Sequence, residues 1–241
     1  MSDFWEGLRL HTPARIGLPR HGEAVSTRAA LELAAAHAEA RDAVHRPLDV
    51  DLVVEGLRGL GRGEPDVVAS AAPDRATYLA RPDLGRRPAT PLRETDDEPV
   101  DLAVVVADGL SSVAVERHAV AVLTALGELL PSGTTVAPPT VATQARVALG
   151  DHVGAARRAR LVLTLVGERP GLSSTDSLGA YLTWAPGPGI ADSARNCVSN
   201  IHPPHGLAHA DAARTLAALM EGARRLGATG TRLKDTSRAL D

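Results

Sequence analysis

Glu168 and Arg169 stand between Gly167 and the pair Pro170-Gly171, directly after an apolar run at residues 161–166. Glycine and proline around a charged pair fix the backbone at what reads as a strand end. A carboxylate held there accepts hydrogen bonds from amide N–H₂ groups, and a guanidinium donates to carbonyls or phosphate. The pair also reads as a local ion pair, and spacing alone leaves both open. A second candidate is Asp108-Gly109-Leu110-Ser111-Ser112, where an acidic residue and a glycine meet a helix start whose free N–H groups suit an acceptor ligand. Its plainer reading is a capped helix after a tight turn. The third is Cys197 with His202 and His205, residue types that serve as nucleophile and base. Nothing around Cys197 resembles an activated thiol, and a lone cysteine is more often a small buried hydrophobe.

Other chemistries find no footing. The nine histidines are scattered without the i, i+4 pairing and third ligand of a zinc site. The phosphate loop G-x-x-x-x-G-K-[ST], the dinucleotide fingerprint G-x-G-x-x-G and the G-x-S-x-G elbow are absent.

The elements that must position these residues come from the hydrophobic pattern. Residues 27–44 carry apolar positions at helical spacing behind Ser26, a good cap. Residues 58–65 read as a Gly-rich loop and 66–71 as a short strand. Prolines alternating with Arg, Asp and Glu across residues 81–99 neither continue a helix nor supply a strand face, so a boundary is placed there. The chain then divides into an N-terminal helical and loop region, 1–99, and an α/β domain, 100–241. Residues 102–107 form a Val/Ala run typical of a strand covered on both faces, followed by a helix capped by Ser111 or Ser112 and reaching residue 130. An extended segment at 134–143, a helix near 149–158 and a second buried strand at 161–166 repeat the unit. Residues 181–184 add a strand, and 209–226 form a final amphipathic helix. The alternation predicts an α/β fold, a doubly wound parallel sheet of Rossmann-like type, with ligands beyond the carboxyl ends of the strands.

Composition bounds the function class. With 26 basic against 29 acidic residues, the net charge of −3 argues against a phosphate-driven affinity for nucleic acid. Aromatic residues make up 2% of the chain, so the core is built from Ala, Val and Leu, which lets helices approach the sheet closely. One cysteine excludes an internal disulfide and fits a reducing compartment. Neither a signal peptide nor a membrane span is evident, so a cytoplasmic protein is expected.

Taken in order, Gly-Glu-Arg-Pro-Gly-Leu-Ser-Ser at 167–174, Asp176-Ser177-Leu178-Gly179 and Arg195-Asn196-Cys197 through Ser199-Asn200-Ile201 resemble the small subunit (light chain) of ethanolamine ammonia-lyase. Thr12-Pro13-Ala14-Arg15-Ile16-Gly17, Ala40-Arg41-Asp42-Ala43-Val44, Tyr78 through Arg87 with its Arg-Pro-Asp-Leu-Gly-Arg-Arg run, Asp108-Gly109-Leu110-Ser111 and Arg146-Val147-Ala148-Leu149-Gly150-Asp151 extend the likeness over nearly the whole chain. The resemblance implies an enzyme that converts ethanolamine to acetaldehyde and ammonia with adenosylcobalamin. A large subunit, a barrel, holds most of the ethanolamine site, and the small subunit helps enclose the cofactor. No catalytic residue is then expected on this chain; Val147, Glu168 and Cys197, with Arg169 beside them, become cofactor contacts, and region 1–99 packs on the large subunit. Asp-x-His-x-x-Gly is absent, because Asp151-His152 has the wrong spacing, so the implied cofactor keeps its own lower base (base-on). The family setting adds a bacterial microcompartment as the alternative to free cytoplasm. Two departures touch the site: the 187–194 loop is less polar than in the family, and Ala145 replaces a glycine before Arg146-Val147, which disfavours φ > 0 there. The competing reading is a stand-alone α/β module that binds cobalamin without catalysis.

Overall fold

The computed structural model describes residues 2–95 and 98–235. In chain order the elements are α1 Ser2–Arg9, a hairpin of β1 Arg20–His21 and β2 Ala24–Val25, α2 Thr27–His45, α3 Val50–Arg58, β3 Asp66–Ala69, α4 Arg75–Ala80, β4 Leu102–Ala107, α5 Ser112–Gly127, β5 Thr140–Thr143, α6 Leu149–Ala156, β6 Leu161–Gly167, β7 Leu178–Trp184, β8 Arg195–Ile201 and α7 His209–Leu226. Ser26 caps α2 by accepting from the Ala29 amide at 3.3 Å, as its position before the helical pattern predicts.

Six strands form one sheet in the order β3-β5-β4-β6-β7-β8. β3, β5, β4 and β6 are mutually parallel, whereas β7 runs antiparallel to β6 and β8 antiparallel to β7. The sheet is therefore mixed, which corrects the expectation of an all-parallel one. The reason lies in the connections: residues 168–177 contain no helix, and a parallel return requires a crossover long enough to span the sheet. The α/β class and its central parallel strands stand. β3 precedes the proline-rich connection and still forms an edge of this sheet. Of that connection, Asp96 and Asp97 lie outside the described residues.

Alternation along the strands sorts the core onto two faces. Leu102, Val104 and Val106 of β4 join Leu161, Leu163 and Leu165 of β6 in the cluster that buries the apolar sides of α5 and α7 and Val53 and Leu57 of α3. Ala103, Val105 and Ala107 face the other way, against Leu149 and Val153 of α6. Each buried Leu or Val contributes about 1.5–3 kcal/mol relative to exposure. Gly150 permits the close seat of α6, since a Cβ there would lie 2.1 Å from the Thr164 hydroxyl.

Beside α6, the same face continues over β7 and β8 as Tyr181, Thr183, Arg195 and Cys197, with no helix on it among the described residues. Arg195 ends this face in a buried ion pair with Asp151 of α6 at 2.6 Å, both side chains 2% exposed. Thr183, the Ile190 carbonyl and Asp192 accept its further bonds at 3.1, 2.9 and 3.4 Å.

Candidate functional site

The turns after β4, β5 and β6 converge on a cleft of about 490 Å³ lined by Val147, Glu168 and Arg169 together with Tyr78, Arg146 and Tyr181. Two close approaches shape its floor. Gly109 adopts φ +57°, and the Leu110 amide donates to the Gly167 carbonyl at 2.9 Å. A Cβ on Gly167 would fall 1.9 Å from the Ser111 carbonyl oxygen, so only glycine lets these two turns meet.

Asp108 is buried and acts as a latch. Its carboxylate accepts the Gln144 and Ala145 amides, each at 2.9 Å, and Arg75 approaches to 3.4 Å. Burial pushes the carboxyl up from its ordinary value, against the pull of those amides and of Arg75. The latch fixes the backbone that delivers Arg146 and Val147 to the cleft. The positive φ in this turn belongs to Gln144, at +52°, and not to Ala145, which is how an alanine is accommodated there. Ser111 accepts from the Ala114 amide as the cap of α5 and donates to the Thr175 carbonyl at 2.7 Å, tying the helix start to the 168–177 connection. The helix ends at Gly127, three residues short of its expected reach.

Glu168 is held by one oxygen. The Ser177 hydroxyl donates to Oε2 at 2.5 Å and the Asn200 amide at 3.2 Å, with Asn200 in the left-handed region at φ +63°. Oε1 has no hydrogen-bond partner among the described residues, and a Cβ on Gly179 would sit 3.0 Å from it. The carboxylate is thus oriented while keeping acceptor capacity.

Cys197 lies mid-way along β8, opposite Tyr181 in register, and is exposed. Burial as a small hydrophobe, the plainer reading of a lone cysteine, does not describe it. Desolvation pushes its thiol above the ordinary value, Tyr181 opposes this, and the Glu168 charge adds to it. A thiol so poised is neutral and poorly nucleophilic. His202 and His205 line a different cleft with Asp176 and Arg117. His202 is engaged with Asn200 at 2.8 Å, so the thiol–imidazole pairing is not assembled.

Sequence reasoning missed Tyr78 and Arg146. Tyr78 is buried, donates from its hydroxyl to the Ala145 carbonyl at 3.2 Å, and has its pKa pushed up to about 12 by burial. The guanidiniums of Arg75 and Arg146 lie over its ring at 4.8 and 4.7 Å. Arg75 is bonded to the Gly109 carbonyl at 2.8 Å and the Val44 carbonyl at 2.7 Å. Arg146 Nε is buried without a hydrogen-bond partner. The signal for Arg146 was its place beside Val147; Tyr78 opens the likeness over 78–87, but nothing local to it says that it meets the distant Ala145 turn.

The model of the ethanolamine ammonia-lyase light-chain family matches residues 2–234. The chain belongs to that family. It is 50% identical over 239 residues to the ethanolamine ammonia-lyase small subunit of Rhodococcus erythropolis, covering 98% of this chain and 92% of the relative. The Azotobacter vinelandii small subunit is 50% identical over 239 residues, covering 96% and 88%, and the Bradyrhizobium diazoefficiens small subunit 49% over 236 residues, covering 95% and 90%. Every cleft residue falls inside the family match. As a light-chain family member the protein is a lyase component. Among the described residues no helix is long and apolar enough to cross a membrane, and no group of three or more His, Cys, Asp or Glu is placed to hold a metal ion.

Proposed function

We propose that this chain is the small subunit of an adenosylcobalamin-dependent ethanolamine ammonia-lyase and forms one wall of a cofactor pocket completed by the large subunit. The observation that carries the reading is the convergence of Val147, Glu168 and Arg169 in one cleft, with Cys197 on the adjoining strand face. The residues present fit a corrinoid. The ring offers apolar edges and a fringe of amides; Val147, Leu110 and Val166 supply apolar contact, and Glu168 Oε1 is an acceptor for an amide N–H₂. The orphaned Arg146 Nε speaks for an additional acceptor arriving from outside the chain.

In this reading Glu168 orients the cofactor through an amide, held in place by Ser177 and Asn200. Cys197 and Tyr181 provide a neutral surface, since desolvation raises both groups further above neutrality than their ordinary values. The cofactor these residues would hold, in the base-on form the family likeness implies, would supply radical chemistry. Ethanolamine is held mainly by the large subunit, so this chain binds, orients and helps exclude water.

We read the sheet, with helices on both faces, as a Rossmann-like variant extended by two antiparallel strands. Within the 1–99 region α3 and Tyr78 of α4 belong to the core and β3 to the sheet, and we assign the remaining apolar exposure, at Phe4, Leu10, Leu31 and Leu33, to packing on the large subunit.

The test is a titration of cyanocobalamin into the complex of this chain with the large subunit. Glu168→Ala is expected to weaken binding roughly 10-fold, the worth of one charge-assisted hydrogen bond, without altering subunit assembly on gel filtration. Unchanged binding would contradict the assignment.

A further inference from the structure

The guanidiniums lining the cleft differ in their partners. Arg86 pairs with Asp192 at 3.0 Å and Arg195 with Asp151 at 2.6 Å. The guanidiniums of Arg146 and Arg169 make no hydrogen bond or ion pair among the described residues. Arg146 is half-buried and cannot swing freely: its amide donates to the Gly85 carbonyl at 2.8 Å and its guanidinium lies 4.7 Å from the Tyr78 ring centroid. Its buried Nε has no partner. A cation partly removed from water without a counter-charge is costly, and the cost falls when an anion arrives. Arg169 approaches from the end of β6. Both line this cleft and also the neighbouring one formed by Val44, Leu79 and Pro170, so they stand together at the junction of the two. Of the two carboxylates lining the cleft, Glu168 has one oxygen committed to Ser177 and Asn200, and Asp192 is paired with Arg86.

We infer that Arg146 and Arg169 form a subsite for one phosphate ester, gripped by two guanidinium forks at the mouth of the cleft. Planar guanidinium matches phosphate oxygens bidentately, and stacking on Tyr78 pre-orients one of the two forks. This rests on the cofactor reading above: cobalamin carries a single phosphodiester, between a ring side chain and the nucleotide of its lower base. Glu168 then takes an amide of the ring and the arginines take the phosphate, so the two halves of the ligand are recognised by opposite charges.

The experiment compares cyanocobalamin, cobinamide phosphate and cobinamide, which lacks any phosphate, in titrations of the full complex with its large subunit. Arg169→Gln changes an exposed residue and leaves folding intact; Arg146→Gln and Arg146→Lys complete the set. For the Gln variants, affinity for the two phosphate-bearing corrinoids is expected to fall roughly 10- to 100-fold while that for cobinamide stays within about twofold, and Arg146→Lys gives an intermediate loss. Inorganic phosphate as a competitor should weaken cyanocobalamin binding but not cobinamide binding. Equal losses for all three corrinoids, or none, overturn the subsite and leave the cofactor reading standing. Loss of subunit assembly in the variants also overturns it and assigns the two arginines to the subunit interface. Failure of the unmodified complex to bind any corrinoid overturns both proposals.

Discussion

Glu168 keeps one oxygen in reserve, and that division of labour is what makes a single side chain informative. Ser177 and Asn200 hold Oε2, so Ser177→Ala should loosen the carboxylate and weaken cobalamin binding less than Glu168→Ala does, in the same titration. Cys197 behaves differently. With its thiol pushed up by burial and no imidazole beside it, it is a contact surface, and Cys197→Ala in the complex should retain most of the acetaldehyde-forming activity; complete loss would restore a chemical role for the sulfur. Asp151 is structural. Asp151→Ala strands Arg195 in a site where its side chain is 2% exposed, and urea denaturation should register a loss of about 3–5 kcal/mol. A loss below about 1 kcal/mol would mean that the pair is more solvated than its geometry implies.

Between α5 and α7, His118 Nδ1 and His209 Nε2 lie 3.0 Å apart, with Asp176 Oδ2 3.5 Å from His118 Nε2. Only one proton fits between the rings. Burial holds His118 below the ordinary histidine value of 6.5, with His209 reinforcing and Asp176 opposing, and burial does the same for His209. Folded values below the unfolded one mean that these groups stabilise the fold above about pH 6.5 and that this contribution is lost as pH falls through the depressed values. The urea midpoint should drop between about pH 7.5 and about pH 5.5, and His118→Gln should flatten that slope; an unchanged slope would remove the pair from the account. The same scale shows what could be read in advance. β4, β6 and α7 were legible because residues 102–107 and 161–166 are unbroken apolar runs and 209–226 keeps a helical stripe. β8 was not, since Arg-Asn-Cys-Val-Ser-Asn-Ile buries one face against α7 and offers the other to the cleft, leaving a pattern too polar to stand out. The antiparallel turn at 168–177 was likewise hidden: its Gly, Pro and Ser residues suit either direction of return. Glu168, Val147 and Arg169 were legible through their strand-end setting and family likeness. Tyr78 and the stacking of Arg75 and Arg146 on it depend on α4 crossing 67 residues of sequence to meet the Ala145 turn, which no local pattern encodes.

Across the whole molecule, apolar exposure concentrates in the N-terminal segment, with Leu10 at 85% and Phe4 and Leu31 each at 66%. The core lies elsewhere, on the two faces of the sheet. Removal of residues before Ser26 should therefore leave the urea midpoint of this chain nearly unchanged while weakening its association with the large subunit on gel filtration; a collapse in stability would instead place α1 in the fold's own support. If this chain supplies one wall of a shared cofactor pocket, acetaldehyde formation from ethanolamine in the presence of adenosylcobalamin, measured with each subunit alone and with both, decides it. Activity is expected only when both subunits are present, and only with the cofactor. Full activity from the large subunit alone, or an assembled complex that stays inactive with cofactor, would contradict it.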